Sequence, residues 1–410
     1  MKVAVLGKGG REHALQARLA ADIGEASVLV VPGNPGIPGS TGEVERDALV
    51  GFLRERGVEL AVIGPEALLS EGVADLLREA GIPVVGPGRE AARLESEKTY
   101  AKAFFERHGV PTARAVVLAS EADDTRLDAF PEGAVVKLDG LAEGKGVIVC
   151  GDPRETRDAV AELRERYGKD KKLLVEERLE GPELTVMLLV SDGCAKVLPD
   201  SRDHKRLSDG DLGPNTGGMG AFSPVLPKDD PLHAEIAETI VDPIVRGLVA
   251  DGIAYRGFLY VGLMLTPRGP KVLELNARFG DPEAEVVLPL VGGSFVALCR
   301  ACAEGSLERE TLTVHDAHTL AVVLARQGYP RAPEGAPVAV SASLEARPTS
   351  HVCVANARRE GDTLLLPSGR ALVVVGRGAS PEEARREAYA RVAEHAAPGL
   401  VYRRDIGGRP

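Results

Sequence analysis

The chain has 410 residues, 44% hydrophobic and 27% charged, with a formal net charge of −11 and a pI near 5.4. Its length exceeds what one hydrophobic core spans, so several domains are expected, and its composition excludes a disordered bulk. The acidic balance, the lack of tryptophan and an aromatic content of 4% argue against a nucleic-acid partner, which needs a basic surface and stacking platforms.

No run approaches the roughly 20 apolar residues of a membrane span, and residues 1–7 read as a strand and turn rather than a signal peptide. A cytoplasmic monomer acting on small molecules, with no membrane or nucleic-acid partner, is the expectation. The five cysteines are scattered and odd in number, which argues against a disulfide framework. Cys299 and Cys302 form a C-x-x-C within a helix-like run. No second pair or nearby histidine completes a zinc site, so they read as small buried side chains.

Residues 1–96 alternate strand patterns (3–6, 28–31, 60–63, 82–85) with helix patterns (from about 11, about 45–56, about 71–80). That alternation predicts a parallel sheet with helices on both faces, binding ligands at the carboxyl ends of its strands. Those ends carry Gly7-Lys8-Gly9-Gly10-Arg11-Glu12-His13, then Gly33-Asn34-Pro35, then Gly64-Pro65-Glu66. Glycines at such turns let backbone N–H groups approach a phosphate. A dinucleotide fingerprint fails, because Glu12 stands where its third glycine belongs and strand two ends without an acid. A smaller phosphorylated ligand fits better, with Gly9, Gly10, Arg11, Glu12, Asn34, Pro65 and Glu66 as candidate contacts.

A helix over 97–108 follows, with Ser96 as its expected N-cap and Lys98 in its first turn, where a cation opposes the helix dipole. Strands around a loop at 134–149 form a hairpin with Lys137 on the incoming strand and Gly144, Lys145 and Gly146 at its tip, suited to folding over phosphates as a flap. After a helix at about 154–166, a strand ends in Glu176 and Glu177, and an apolar strand begins near Glu183. Main-chain groups at Glu177 and Leu179 suit an adenine edge, and Glu183 suits ribose hydroxyls. Residues 200–224 read as a long functional loop without secondary structure. Its Asp203 and Lys205 suit orientation of a polar substrate, and Thr216, Gly217, Gly218 and Met219 suit an anion nest. His204, without a metal-ligand partner at helical or strand spacing, reads as a hydrogen-bonding residue.

A helix at about 231–250 leads to a hairpin of strands at 258–265 and 271–276. In the second strand Leu273 and Leu275 face a core while Glu274 and Asn276 share the other face. A carboxylate and an amide oxygen so placed suit Mg²⁺ or Mn²⁺, with Arg278 and Asp281 just beyond. From about residue 318 come short strands (320–324, 338–340, 372–375) and one helix, capped by Ser380-Pro381-Glu382-Glu383. This segment shows no catalytic cluster and is expected to pack over the cleft.

Five motifs in order carry a resemblance: Gly7-x-Gly9-Gly10-Arg11-Glu12-His13; Lys137-x-x-Gly140 with Gly144-Lys145-Gly146; Asp203-His204-Lys205-Arg206; Pro214-Asn215-Thr216-Gly217-Gly218-Met219-Gly220; and Glu274-x-Asn276-x-Arg278-Phe279-Gly280-Asp281. Together they resemble the phosphoribosylamine–glycine ligase (glycinamide ribonucleotide synthetase) family of ATP-grasp enzymes. The resemblance implies a multidomain α/β fold: an N-terminal parallel-sheet, Rossmann-like domain (1–96), an ATP-grasp domain (97–317, flap subdomain about 117–190) and a small C-terminal α/β domain (318–410). It implies ATP-dependent joining of glycine to 5-phosphoribosylamine through glycyl phosphate. Lys98, Lys137 and the Lys145 flap would hold phosphates; Glu176, Glu177, Leu179 and Glu183 the nucleotide; Glu274 and Asn276 the metal. Arg278, Asp203 and Lys205 would serve the chemistry. The alternative is another ATP-grasp carboxylate–amine ligase or a carboxylase. The chain departs from the family in having no acid on the 258–265 strand, and in Cys353-Val354-Ala355-Asn356 where a His-Ala-Gly-Thr-like stretch is expected.

Overall fold

The structure, a computed structural model, describes residues 1–141, 146–340 and 343–408. The N-terminal region runs β1 (Val3–Gly7), α1 (Gly10–Ile23), β2 (Val28–Pro32), α2 (Arg46–Glu55), β3 (Leu60–Ile63), α3 (Glu66–Ser70), α4 (Val73–Glu79), β4 (Val84–Val85) and α5 (Arg89–Ser96). Its strands pair in parallel in the order β2-β1-β3-β4. Every residue of β1 and β3 is buried, as expected of strands covered on both faces. The helix read over about 71–80 is α4, and the short α3 before it, absent from that reading, is set off from it at Gly72, whose φ of 80° breaks the helical path.

The middle region begins with α6 (Lys98–His108). Helix α5 runs through Ser96, and Glu97 is the N-cap of α6, so Ser96 is not the cap expected. A small antiparallel sheet follows from β5 (Ala115–Leu118), β6 (Ala134–Leu138), β7 (Val147–Val149) and, after α7 (Pro153–Tyr167), β8 (Leu173–Glu177), in the order β5-β8-β6-β7. A second antiparallel sheet, β10-β9-β15-β16, joins β9 (Glu183–Ser191) and β10 (Cys194–Val197) to β15 (Arg256–Thr266) and β16 (Gly269–Asn276). The flap sheet therefore stops at Glu177, short of the 190 expected.

Residues 200–224 are not a loop without secondary structure. They form β11 (Arg202–Asp203), β12 (Arg206–Ser208), β13 (Leu212–Asn215) and β14 (Gly220–Ser223). The helical stretch after them is α8 (Leu232–Ile236), a π turn and α9 (Asp242–Ala250). Beyond β16 lie α10 (Glu283–Val287), β17 (Val291–Gly292), α11 (Phe295–Glu304) and β18 (Thr313–Val314). Cys299 and Cys302 are buried in α11, with Cys302 Sγ 3.3 Å from the Val190 carbonyl.

The C-terminal region contains β19 (His318–Arg326), β20 (Val338–Ala339), β21 (Ser350–Val354), β22 (Arg358–Glu360), β23 (Thr363–Leu366), β24 (Arg370–Gly378), α12 (Pro381–His395) and β25 (Leu400–Val401). Its main sheet, β11-β14-β19-β24-β21, recruits two strands from the 200–224 segment, so it crosses the boundary expected at 317/318. The departure at Cys353–Asn356 falls at the end of β21, where the Val354 N–H donates to His13 Nδ1 on α1 at 2.8 Å.

Candidate active site

Four cations converge on the outer face of β16. Glu274 and Asn276 point from that face at register positions opposite Gly262 and Tyr260 of β15, with a β-bulge just after Gly262. Bulges recur beside active sites because they re-aim side chains. Burial works against the Glu274 charge, but Lys205, Lys137, Lys98 and Arg278 together outweigh it and hold the carboxyl below its usual range. Asn276 Oδ1 accepts from Arg278 Nη2 at 3.3 Å. Among the described residues, no group of three or more His, Cys, Asp or Glu side chains is arranged to hold a metal. One ionised carboxylate beside an amide oxygen fits an ion that takes the rest of its shell from phosphate and water.

The lysines reach the site through partners distant in sequence. Lys137 Nζ donates to the Leu273 carbonyl at 3.0 Å and pairs with Glu176 at 2.5 Å. The other Glu176 oxygen pairs with Lys102 at 2.5 Å, and Lys102 also donates to Thr112 Oγ1 and the Ala113 carbonyl. Glu176 is therefore a buried brace between two lysines. Lys98 Nζ donates to the Gly140 carbonyl at 2.8 Å, and burial pushes its pKa down, with Lys137 adding to the effect. Asp139, which the sequence reading passed over, accepts from the Thr99 N–H at 3.1 Å and from Thr99 Oγ1 at 2.6 Å. Its carboxylate supplies the anion that the first turn of α6 lacks. Gly144 and Lys145 lie outside the described residues; the Gly146 carbonyl accepts from the Leu138 N–H at 2.7 Å.

Of the nucleotide candidates, the Glu177 carboxylate is tied to Lys271 at 3.0 Å and the Arg114 N–H at 3.1 Å. Glu183 pairs with Lys205 at 3.1 Å. Leu179 lies half-buried in the crossover between β8 and β9, and its N–H makes no hydrogen bond among the described residues. Burial pushes Asp203 up to about 6, Lys205 opposing and Glu183 and Glu274 reinforcing. Burial and Asp203 push Glu283, at the start of α10, up to about 7.

Arg278 is held by two acids of the N-terminal region. Its Nη2 lies 3.1 Å from Glu95 Oε1, and its Nε 3.4 Å from Glu66 Oε2. The second Glu95 oxygen accepts from the Ala277 N–H at 2.8 Å. Glu95 sits in α5, an element absent from the sequence reading.

The glycine-rich turn before α1 is filled by its own chain. Glu12 Oε2 accepts from the N–H groups of Lys8 at 3.1 Å and Gly9 at 2.6 Å, while Arg11 Nε binds Glu12 Oε1 at 2.6 Å. A Cβ at Gly64 would lie 1.9 Å from Glu12 Oε1, and one at Gly7 2.6 Å from its side chain. The glycines at 7 and 64 thus make room for this carboxylate, which occupies the place expected for a phosphate. Arg11 is buried and also donates to the Phe279 carbonyl at 3.2 Å. Asn34 Nδ2 is shared between the Lys8 and Val354 carbonyls, and Pro65 is the N-cap of α3.

The expected nest at 216–219 is likewise self-satisfied. Thr216 N–H donates to the Lys205 carbonyl, Gly217 N–H to Tyr329 Oη, Gly218 N–H to Thr216 Oγ1 and Met219 N–H to the His204 carbonyl. Its donors are spent, so it is not an open anion nest, and the Met219 side chain is fully buried. His204 Nδ1 is buried without a hydrogen bond among the described residues, contrary to its reading as a hydrogen-bonding side chain. Burial, with Arg403 nearby, pushes its pKa down to about 4.

A two-sheet clasp with lysines on the flap side and an acid–amide pair on the facing strand defines the ATP-grasp class. The sequence agrees: residues 1–95, 96–284 and 319–409 match the N, ATP-grasp (A) and C domains of phosphoribosylglycinamide synthetase. The chain belongs to the phosphoribosylglycinamide synthetase family. It is 44% identical to a phosphoribosylamine–glycine ligase of Leifsonia xyli, over all of both chains. The crystal structure of a phosphoribosylamine–glycine ligase from Thermotoga maritima superposes with a TM-score of 0.85 at 36% identity, over 99% of this chain and 100% of that one. The biotin carboxylase domain of Hydrogenobacter thermophilus 2-oxoglutarate carboxylase, at 15% identity, shares the fold with a TM-score of 0.73, over 98% of this chain and 91% of that one.

Proposed function

We propose that this chain is an ATP-dependent ligase joining glycine to 5-phosphoribosylamine, giving glycinamide ribonucleotide, ADP and phosphate in purine biosynthesis. The observation that carries the reading is the convergence of Lys98, Lys137, Lys205 and Arg278 on Glu274. Phosphoryl transfer is mostly positioning and charge neutralisation, and these side chains supply both. The names of its relatives support the choice of substrates. The glycine carboxylate takes the γ-phosphoryl group of ATP, releasing ADP and forming glycyl phosphate. The amine of phosphoribosylamine then attacks the acyl carbon; the C–O bond to phosphate breaks, phosphate leaves, and the nitrogen loses a proton.

Lys98 and Lys137 neutralise the phosphates, and Lys145 is assigned to the flap above them. The Leu179 N–H and Glu177 carbonyl read the adenine, and Glu183 holds the ribose. Arg278 stabilises charge developing on the transferred group, while Asp203 and Lys205 flank it. Glu274 and Asn276 would hold Mg²⁺, or Mn²⁺, which supplies further charge neutralisation at the phosphates. ADP release, followed by a coupled assay with phosphoribosylamine generated in situ, is expected only when both glycine and the amine are present. Equal ADP release with glycine withheld would overturn the assignment and favour a carboxylase-type reaction.

A further inference from the structure

One side chain of the C-terminal region reaches the junction of all three regions. Arg370, the first residue of β24, places Nη1 2.6 Å from the Gly217 carbonyl, 2.8 Å from the Asp281 carbonyl and 3.0 Å from Asp281 Oδ1. Both side chains of the ion pair are largely buried, at 19% and 16% exposure. A Cβ at Gly217 would lie 3.3 Å from the Arg370 guanidinium carbon and 3.4 Å from Tyr329 Oη, so the strand lies flat against this arginine. The other Asp281 oxygen, Oδ2, faces the turn before α1, 3.8 Å from where a Gly9 Cβ would sit. Behind it lies Glu285, fully buried with neither oxygen hydrogen-bonded among the described residues. Asp281 Oδ1 is held by the Arg370 charge alone, without a hydrogen bond among the described residues, and removing one partner of such a buried pair leaves the other uncompensated.

We propose that Arg370 is a positioning residue for the ligase: from the third domain it fixes Asp281, whose free oxygen then meets an amine or hydroxyl hydrogen of phosphoribosylamine at the Gly9 turn. This rests on the reading under Proposed function. Arg370 acts through Asp281 and touches no reacting atom, and the C-terminal domain thereby completes the acceptor-substrate site.

The test is steady-state ADP release by Arg370→Met, Arg370→Lys, Asp281→Asn and the double variant Arg370→Met/Asp281→Asn, with thermal melting of each. Misplacing a substrate-holding group costs about 100-fold, so kcat/KM for phosphoribosylamine should fall by about that factor in Arg370→Met. The KM for ATP should stay within about twofold, and Arg370→Lys should recover part of the loss. The double variant should be no worse than the weaker single one, since residues acting as a unit are non-additive. Additive losses, or a KM for ATP that rises in step with that for phosphoribosylamine, would overturn the proposal. If Arg370→Met does not fold, Arg370→Lys and Asp281→Asn decide it by the same split in KM. A wild-type enzyme that releases ADP without glycine would refute the parent reading instead.

Discussion

Glu95→Ala tests whether the catalytic site is braced from outside the ATP-grasp domain. Glu95 is 9% exposed and holds both the Ala277 N–H, one residue past Asn276, and the Arg278 guanidinium. Burial pushes the Glu95 pKa up against the pull of Arg278, whereas Arg278 is held in its charged form by Glu95 and Glu66. The desolvation cost of Glu95 thus offsets much of what the pair gives to stability, and its role is geometric. Removing the carboxylate leaves a buried N–H without an acceptor, about 1–3 kcal/mol. It also deprives a buried cation of its nearer partner, which costs about 3–5 kcal/mol in full. Glu66, at 3.4 Å, remains to Arg278, so a stability loss of about 3 kcal/mol is expected. Losing one preorganised donor from a transition state costs about 2.7–4 kcal/mol, and a displaced Arg278 should forfeit most of that, about 100-fold in kcat. Glu95→Gln keeps the volume and the acceptor for Ala277 and should lose about tenfold, one unit of 1.4 kcal/mol. Glu90→Ala, an exposed position on the same helix, is the control. The assay is the coupled ADP measurement below the melting temperature of each variant. A folded Glu95→Ala enzyme within about threefold of wild-type kcat, by the same scale, would refute the reasoning.

Three further outcomes are expected. Glu274→Ala should abolish metal-dependent turnover, a loss of about 1,000-fold or more, with an unchanged far-ultraviolet circular dichroism spectrum; retained activity would remove Glu274 from the metal site. Asp139→Ala should cost about 1 kcal/mol in stability, as loss of a helix cap does, and raise the KM for ATP several-fold without changing that for glycine; an unchanged KM for ATP would leave Asp139 a cap alone. His13, whose pKa burial lowers from 6.5 to about 4, accepts the Val354 N–H only when neutral. A lowered histidine pKa means stability that is complete above pH 6.5 and lost as pH falls through about 4. His13→Asn keeps an acceptor but does not titrate, so its unfolding free energy should fall less between pH 6.5 and 4 than that of the wild type, by at most about 3 kcal/mol; identical pH curves would count against the assignment.

The parts legible in the sequence were those whose signal is local. Strands buried on both faces read as short apolar runs, which is why β1, β2 and β3 fall where the pattern places them. Glu274 and Asn276 share a face because side chains alternate along β16. The 200–224 segment misled because β11, at two residues, and β12, at three, are too short to alternate. They pair inside the segment, β11 with β14 and β12 with β13, and the ladder that ties them into a larger sheet is a distant one, β14 lying beside β19 some 100 residues later. Glycines at 7 and 64 pointed to a phosphate because a Cβ-free turn is equally what a folded-back carboxylate needs, and Glu12 is that carboxylate. Glu95 and Arg370 gave no signal at all. Their partners lie 182 and 153 residues away along the chain, at Ala277 and Gly217.

Charge distribution reconciles an acidic chain with a polyanionic substrate. The net charge of −11 bears on non-specific binding to a long polyphosphate, whereas a nucleoside triphosphate senses only the cleft it enters. There, one carboxylate, Glu176, serves two lysines, Lys102 and Lys137, so the brace retains a positive charge. Among the described residues Lys98 meets no acid at hydrogen-bond range, and its ammonium donates to the Gly140 carbonyl. Burial lowers the Lys98 pKa, so holding it charged has a cost that an arriving phosphate removes. The flap and helix α6 are joined at this lysine and at Asp139. Phosphate binding and flap position are therefore coupled through one short segment, and a substitution that weakens the Asp139 anchor should be felt first in the affinity for ATP.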